Sequence, residues 1–265
     1  MKDTKWFSNQ VVLVTGASGG LGAQIALELA RRDVKLILVA RNESKLEQVA
    51  AECKSFTSKP VDIYSCDLTN DASVNELLAT LDKSHKITMV INNAGLGYFK
   101  LAKDLSESEI NQMLQLNLNT LIKITQHFVP RFIEDKGGVI VNIASQAGKS
   151  ATVKSSVYSA TKFGVLGYSN ALRLELKPYG IHVMTVNPGP IATDFFDKAE
   201  PTGKYLEQLG AVVLDPAKVA GEVVKGIEKE KREVNLPKAM NFASKLNVLF
   251  PKIGDRLLGS IFNKK

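Results

Sequence analysis

The chain has 265 residues, 45% of them apolar and 23% charged, which suffices for one substantial core, and a second independent domain is not expected. Its 34 Lys and Arg outnumber its 27 Asp and Glu to leave +7, but the bases are scattered, so a solvated surface accounts for them and nucleic acid is not an expected partner. Cys53 and Cys66 fall in no CxxC spacing and His85, His127 and His182 stand far apart; the expectations are two reduced thiols, no metal site and, without a signal peptide or a membrane-length apolar run, a cytoplasmic location.

In chain order, short β-branched runs at Val11–Thr15, Lys35–Ala40, Val61–Ser65, Met89–Asn92, Gly138–Ile143 and residues 182–187 predict strands, with helical composition between them. Leu36, Ile37, Leu38 and Val39 are apolar on both faces of such a strand, as a parallel sheet covered by helices on both sides requires. The pattern predicts an α/β fold with a doubly wound, Rossmann-like parallel sheet. Residues 188–216, punctuated by Gly and Pro, predict a loop with short helices and a candidate lid. Residues 1–234 then form one dinucleotide-binding catalytic domain, and residues 235–265 a C-terminal amphipathic helical extension. That extension spaces Phe242, Leu246, Leu249, Phe250, Ile253, Leu257, Leu258, Ile261 and Phe262 at helix-like intervals among lysines, with a break at Pro251. Three uses compete for it: packing on the parent domain or a sister subunit, closing over a substrate, or peripheral contact with an anionic membrane surface.

The first strand runs into Thr15-Gly16-Ala17-Ser18-Gly19-Gly20-Leu21-Gly22 and then a helix-forming segment. Glycines let a backbone turn tightly and approach a pyrophosphate, and the free N–H groups of the following helix attract negative charge. The turn points to a dinucleotide, with Thr15, Gly16, Ser18, Gly20, Leu21 and Gly22 as candidate binding residues; its G-x-x-x-G-x-G spacing departs from the common G-x-G-x-x-G fingerprint, and a turn that merely packs a helix on the sheet is the competing reading. The second strand ends Val39-Ala40-Arg41. Ala40 removes the carboxylate that would repel a 2′-phosphate and Arg41 offers that phosphate a planar charged fork, which favours NADP(H) over NAD. Against this, Arg41 can simply cover the next helix, and Glu43 can still serve a ribose.

Tyr158 and Lys162 sit four residues apart in a segment of helical composition and so share one face. A free tyrosine has a pKa of about 10, and acid/base work near neutrality needs positive charge beside it; three units of lowering correspond to about 4 kcal/mol. Ser145 follows the strand Gly138–Ile143 at the carboxyl end, where open α/β sheets place ligands. A hydrolytic serine is the weaker reading, because no G-x-S-x-G elbow surrounds Ser145 and no histidine is suitably placed downstream.

These residues together resemble the short-chain dehydrogenase/reductase family, in family order and over roughly residues 11–232. Thr15, Gly16, Gly20 and Gly22 resemble its TGxxxGxG turn; Asp67, followed by Leu68, is similar to its adenine-contacting aspartate; Asn92-Asn93-Ala94-Gly95 resembles its NNAG segment; and Pro188-Gly189 with Thr193 resembles its PG…T element beside the nicotinamide amide. Asn117, Ser145, Tyr158 and Lys162 match its catalytic tetrad. The resemblance implies cofactor contacts at Asn93, Ala94, Gly95, Pro188, Gly189 and Thr193, a proton carried by Tyr158, a substrate oxygen held by Ser145, a nicotinamide ribose held by Lys162, a water held by Asn117 and a homodimer or homotetramer. The implied activity is NADP(H)-dependent hydride transfer to or from a small-molecule carbonyl or alcohol. A catalytically silent NADP-binding sensor is the alternative, which the complete tetrad disfavours, and a sugar-nucleotide epimerase or dehydratase ranks lower, because the region after Thr193 is short. Leu96, Tyr98, Phe99, Gln146, Val153, Phe195 and Phe196 are the expected substrate-flanking residues, which would make the pocket apolar and the substrate lipophilic; alternatively Phe195 and Phe196 only pack the lid. The long tail argues against a housekeeping fatty-acid role.

Overall fold

Strands form where the β-branched runs predict them. In the computed structural model, which describes residues 2–200 and 210–252, β1 (Val11–Thr15), β2 (Lys35–Ala40), β3 (Val61–Ser65), β4 (Met89–Asn92) and β5 (Gly138–Ile143) coincide with the predicted runs, and β6 (Ile181–Pro188) is longer by one residue at each end. A seventh strand, β7 (Glu233–Leu236), is not among those predicted. Glu-Val-Asn-Leu is too short and too polar to stand out; it becomes a strand because β6 offers it an open edge, pairing Thr185 with Glu233 through Pro188 with Leu236. The C-terminal extension drawn from residue 235 therefore begins inside this strand, whose last residue is Leu236.

All seven strands are parallel, in the order β3-β2-β1-β4-β5-β6-β7. Among the described residues the α-helices are α1 (Thr4–Ser8), α2 (Gly20–Ala30), α3 (Glu43–Lys54), α4 (Asp71–Ser84), α5 (Glu107–Leu114), α6 (Thr120–Glu134), α7 (Ser156–Leu176), α8 (Phe195–Ala199), α9 (Pro216–Glu228) and α10 (Lys238–Leu249). Successive side chains of the inner strands point to opposite faces and feed two separate cores. Val12, Val14, Leu36 and Leu38 pack with Ile25 and Leu29 of α2, Leu46 of α3 and Val223 and Ile227 of α9. Leu13, Ile37 and Val39 pack on the other face with Leu78 of α4, Ile124 and Phe128 of α6 and Leu172 of α7. Local signals set the helix starts: Asn42 and Asn70 accept N–H groups as the N-caps of α3 and α4, and Ser106 with Glu109 forms a capping box on α5.

Consecutive strands build outward from β1 in one direction, and β4 returns to β1's other side, so the sheet changes winding between β1 and β4. A crevice opens there at the strands' carboxyl ends. Its depth depends on close backbone approach. Gly16 and Gly20 have φ of +66° and +54°, a region that side chains disfavour, and a Cβ on Gly22 would collide with the Gly16 carbonyl oxygen. We expect Gly22→Ala to destabilise the fold by about 3 kcal/mol or more in denaturant unfolding. Gly221→Ala in α9, where an added Cβ meets nothing within 4 Å, should instead stabilise it by roughly 0.5–1 kcal/mol. Equal effects would contradict the close-approach account.

Candidate active site

The crevice is stitched by the two segments that flank it. Thr15 Oγ1 accepts the N–H groups of Asn93 and Ala94, both at 3.0 Å, and Asn93 Nδ2 donates to the Thr15 carbonyl at 2.9 Å and to the Gly16 carbonyl at 3.2 Å. Thr15 and Gly22 thus stand behind the wall. Gly16, Ser18, Gly20 and Leu21 from the first turn, Arg41 after β2, Asp67 and Leu68 after β3, and Asn93, Ala94 and Gly95 after β4 line one cleft of about 860 Å³. Pro188, Gly189 and Thr193, after β6, line it from the other side. The α2 N-cap, Gly19, supplies no side-chain hydrogen bond, so the first N–H groups of that helix are left for another acceptor. Asp67 is held below the usual carboxylate range, chiefly by the Thr69 N–H at 3.0 Å, with the Thr69 hydroxyl and Arg41 adding to it against burial.

Ser145, Tyr158 and Lys162 meet at the inner end of the same cleft. Ser145 Oγ accepts the Ala147 N–H at 3.0 Å and faces the Pro188 carbonyl at 3.5 Å. The Tyr158 ring is boxed edge-on by Phe99, with centroids 5.5 Å apart, and lies 5.8 Å from Phe195. Burial pushes its phenol up to about 12, against the pull of the neighbouring Ser145 hydroxyl. Lys162 shares the helix face as its spacing predicts, but its Nζ donates to the Ile143 carbonyl at 2.8 Å and lies 5.8 Å from the tyrosine ring centroid. Burial is the leading influence on both groups here, raising the phenol and lowering the ammonium. Asn117 is reached differently. It sits in a π-helical turn, residues 115–119, between α5 and α6, a local irregularity that reaims a side chain. Leu96 N–H donates to Asn117 Oδ1 at 2.8 Å, and Asn117 Nδ2 donates to the Leu96 carbonyl at 2.8 Å and to Thr161 Oγ1 at 3.2 Å. The side chain clamps the loop that follows Gly95 and does not line the cleft.

Of the expected substrate-flanking residues, Phe99, Gln146, Phe195 and Phe196 line the cleft. The other three do not: Leu96 is held by Asn117, Tyr98 Oη donates to Gln112 Oε1 at 3.0 Å, and Val153 is exposed at the surface. The α8 helix is docked by the Phe99 N–H donating to the Ala199 carbonyl at 2.8 Å, and Phe99 packs on Phe196. Among the lining residues that sequence reasoning missed, two groups stand out. Lys45 of α3 pairs with Asp194 at 3.4 Å, and both residues line the cleft; the basic residue one turn beyond Arg41 was the available signal. Met240, Ala243 and Ser244 of α10 line it too, and no spacing in the tail distinguishes them from core residues. Among the described residues of the tail, Asn241, Ser244 and Asn247 pack α10 on the parent domain beside the cleft. Ile253, Leu257, Leu258, Ile261 and Phe262 lie outside the described residues.

Burial lowers Lys162 to about 8 from the usual lysine value of 10.5, which gives a signed expectation. Below about 8 the ammonium is charged in both folded and unfolded chains and opposes folding in full. Between about 8 and 10.5 the unfolded chain binds the extra proton, so stability from this residue rises with pH. Unfolding free energies measured for the protein and for Lys162→Met should therefore shift in favour of the lysine across that window by about 3 kcal/mol. A difference that stays constant with pH would show that the ammonium is not desolvated.

The short chain dehydrogenase family profile matches residues 10–203. A curated relative, Dehydrogenase/reductase SDR family protein 7-like of Dictyostelium discoideum, is 32% identical over 257 residues, 93% of this chain and 80% of the relative. Among solved structures, a short-chain dehydrogenase from Sphingobium yanoikuyae in complex with NADPH superposes with a TM-score of 0.82 at 29% identity, covering 93% of this chain and 96% of that one. The bulky-bulky ketone specific alcohol dehydrogenase from Comamonas testosteroni superposes with a TM-score of 0.78 at 26% identity, covering 92% and 94%. The profile spans well over half of the chain and the relative aligns over nearly all of it, and the sheet and crevice have the matching form: the protein belongs to the short-chain dehydrogenase/reductase family of oxidoreductases.

Proposed function

We propose that the protein is an NADP(H)-dependent oxidoreductase that interconverts a carbonyl and a secondary alcohol on a lipophilic small molecule, with Tyr158 as the acid/base. The observation that carries this is the meeting of Ser145, Tyr158 and Lys162 at the inner end of one cleft whose outer part holds Arg41 and an uncapped helix start. The residues present fit a phosphorylated dinucleotide. The α2 N–H groups and the Gly19–Gly20 backbone suit a pyrophosphate, since a Cβ at Gly19 would meet only open space within 4 Å. Arg41, with Lys45 nearby, supplies cationic donors for a 2′-phosphate beside neutral Ala40. The solved relative in complex with NADPH supports the same choice.

Bound in this cleft, NADP(H) supplies the hydride and, when oxidised, a positive charge. The chain's own residues do the rest. The Ser145 hydroxyl donates to the substrate oxygen, and Tyr158 Oη delivers its proton to that oxygen during reduction and recovers it during oxidation. A phenol held near 12 remains protonated at neutral pH, the state reduction needs. Lys162, by the family resemblance, holds the nicotinamide ribose, and Asn117 keeps Leu96 in place beside the reacting groups. Phe99, Phe195 and Phe196 exclude water from Tyr158 and favour an apolar substituent on the substrate. Exposed Phe163 and Leu174 on α7, at 46% and 72%, support self-association through that helix.

Turnover of a panel of ketones and aldehydes, followed by NADPH absorbance with NADH in parallel, tests the reading. Tyr158→Phe should lose about 10³-fold or more in kcat while its NADPH affinity stays within a few-fold; a variant that keeps full turnover would remove tyrosine from the chemistry. A readout that persists without turnover would instead favour the sensor. Arg41→Ala should raise KM for NADPH about tenfold or more and leave NADH use unchanged. A preference for NADH in the unaltered protein would overturn the NADP(H) assignment.

A further inference from the structure

A helix on the surface of a globular protein normally turns its apolar stripe inward and its polar face to solvent, and α10 departs from this, turning only Met240 of its large apolar residues inward. Its inward face is pegged by polar groups: Lys149 Nζ donates to Asn241 Oδ1 at 3.2 Å, Asn247 Nδ2 donates to Ser150 Oγ at 3.2 Å, and Ser244 is buried. On the opposite side Phe242, Leu246 and Leu249 fall within about 60° of one another around the helix axis and are 65%, 43% and 69% exposed. Val248 and Phe250 add to the apolar surface at 71% and 56%. Lys238 and Lys245, seven residues apart, border this stripe along one edge. Residues 237–252 contain no Asp or Glu, and residues 238–265 hold six basic residues against the single acid Asp255. Most of the chain's net charge of +7 is thus concentrated in this stretch.

We propose that this outward face of α10 seats the protein on an anionic lipid surface. An apolar stripe bordered by lysines buries its side chains among acyl chains while the ammonium groups reach lipid phosphates, and the two attractions reinforce each other. Among the described residues no helix is long and apolar enough to cross a membrane, so the contact is peripheral. A second copy of the chain suits the face less well. Pairing two such stripes about a twofold axis brings like charges together, and α10 has no carboxylate to answer them. Met240 and Ala243 of the same helix line the cleft, so seating α10 on lipid sets the cleft beside a store of apolar molecules.

The test uses the full chain, because deleting residues 235–265 would remove half of β7. Co-sedimentation is measured with vesicles of phosphatidylcholine alone and of phosphatidylcholine mixed with phosphatidylserine, for the protein and for a Leu246→Glu, Leu249→Glu double variant. NADPH affinity and far-ultraviolet dichroism verify that the variant is folded. The protein should pellet with the mixed vesicles, more weakly as salt is raised and little with phosphatidylcholine alone, and the variant's partition coefficient should fall about tenfold or more. If the protein stays in the supernatant with mixed vesicles, or the folded variant pellets equally, the proposal is wrong. A variant that changes only the mass measured by size-exclusion light scattering would assign the face to a second copy and overturn the lipid surface. Should the double variant misfold, Lys238→Gln with Lys245→Gln replaces it, and undiminished binding to the mixed vesicles would count equally against the proposal.

Discussion

How closely the turn after β1 can approach the end of β4 decides whether this protein has a cleft at all. Gly16 and Gly22 are in backbone contact, and Asn93 donates to the consecutive Thr15 and Gly16 carbonyls at the start of that turn. The three residues bring the N-terminus of α2 to the sheet's change of winding. Without that approach, the helix start that attracts anions and the strand ends that carry Ser145 would not border one space.

The inner end of the cleft is governed by desolvation. Tyr158 and Lys162 are 8% and 4% exposed, and burial moves both toward their neutral forms, the phenol upward and the ammonium downward. Removal from water sharpens any charge later brought beside them, because nearby charges act more strongly where solvent does not screen them. Phe99 and Phe195 pack on the Tyr158 ring, with Phe196 against both of them, and Asn117 holds Leu96. A buried polar ladder supports this end of the cleft from behind: Asn92 Nδ2 donates to Asn142 Oδ1 at 2.9 Å, and Asn142 Nδ2 donates to Ser169 Oγ at 2.9 Å, tying β4 and β5 to the helix that carries Tyr158.

At the C-terminal edge, β7 and α10 convert a tail into part of the site. Lys149 Nζ reaches Glu233 at 2.7 Å and Asn241 at 3.2 Å, joining the turn after Ser145 to both elements. Glu233 is partly buried, which by itself would raise its carboxyl, yet the Lys149 hydrogen bond and charge hold it below the usual range. The cluster is an ion pair with further polar partners, the setting in which such a pair can hold a geometry.

Much of this was legible in the chain. Five strands coincide with their β-branched runs, because a strand covered on both faces must be apolar throughout, and few other patterns look like that. The glycine turn, Arg41, Ser145 and the Tyr158-Lys162 spacing were equally readable, since each depends on local backbone geometry and on order along the chain. What was not legible depends on neighbours distant in sequence. Glu233 to Leu236 form a strand only because β6 leaves an edge open, Lys162 turns to the Ile143 carbonyl only because β5 lies beneath it, and Asn117 is aimed at Leu96 by a π turn with no compositional signature. The tail's periodicity announced an amphipathic helix; which face would turn inward was decided by Lys149 and Ser150, whose polar groups lie about ninety residues earlier in the chain and capture Asn241 and Asn247. Local propensity and pattern select the elements, whereas the pairing of polar groups and the exclusion of water between elements are properties of the assembled whole.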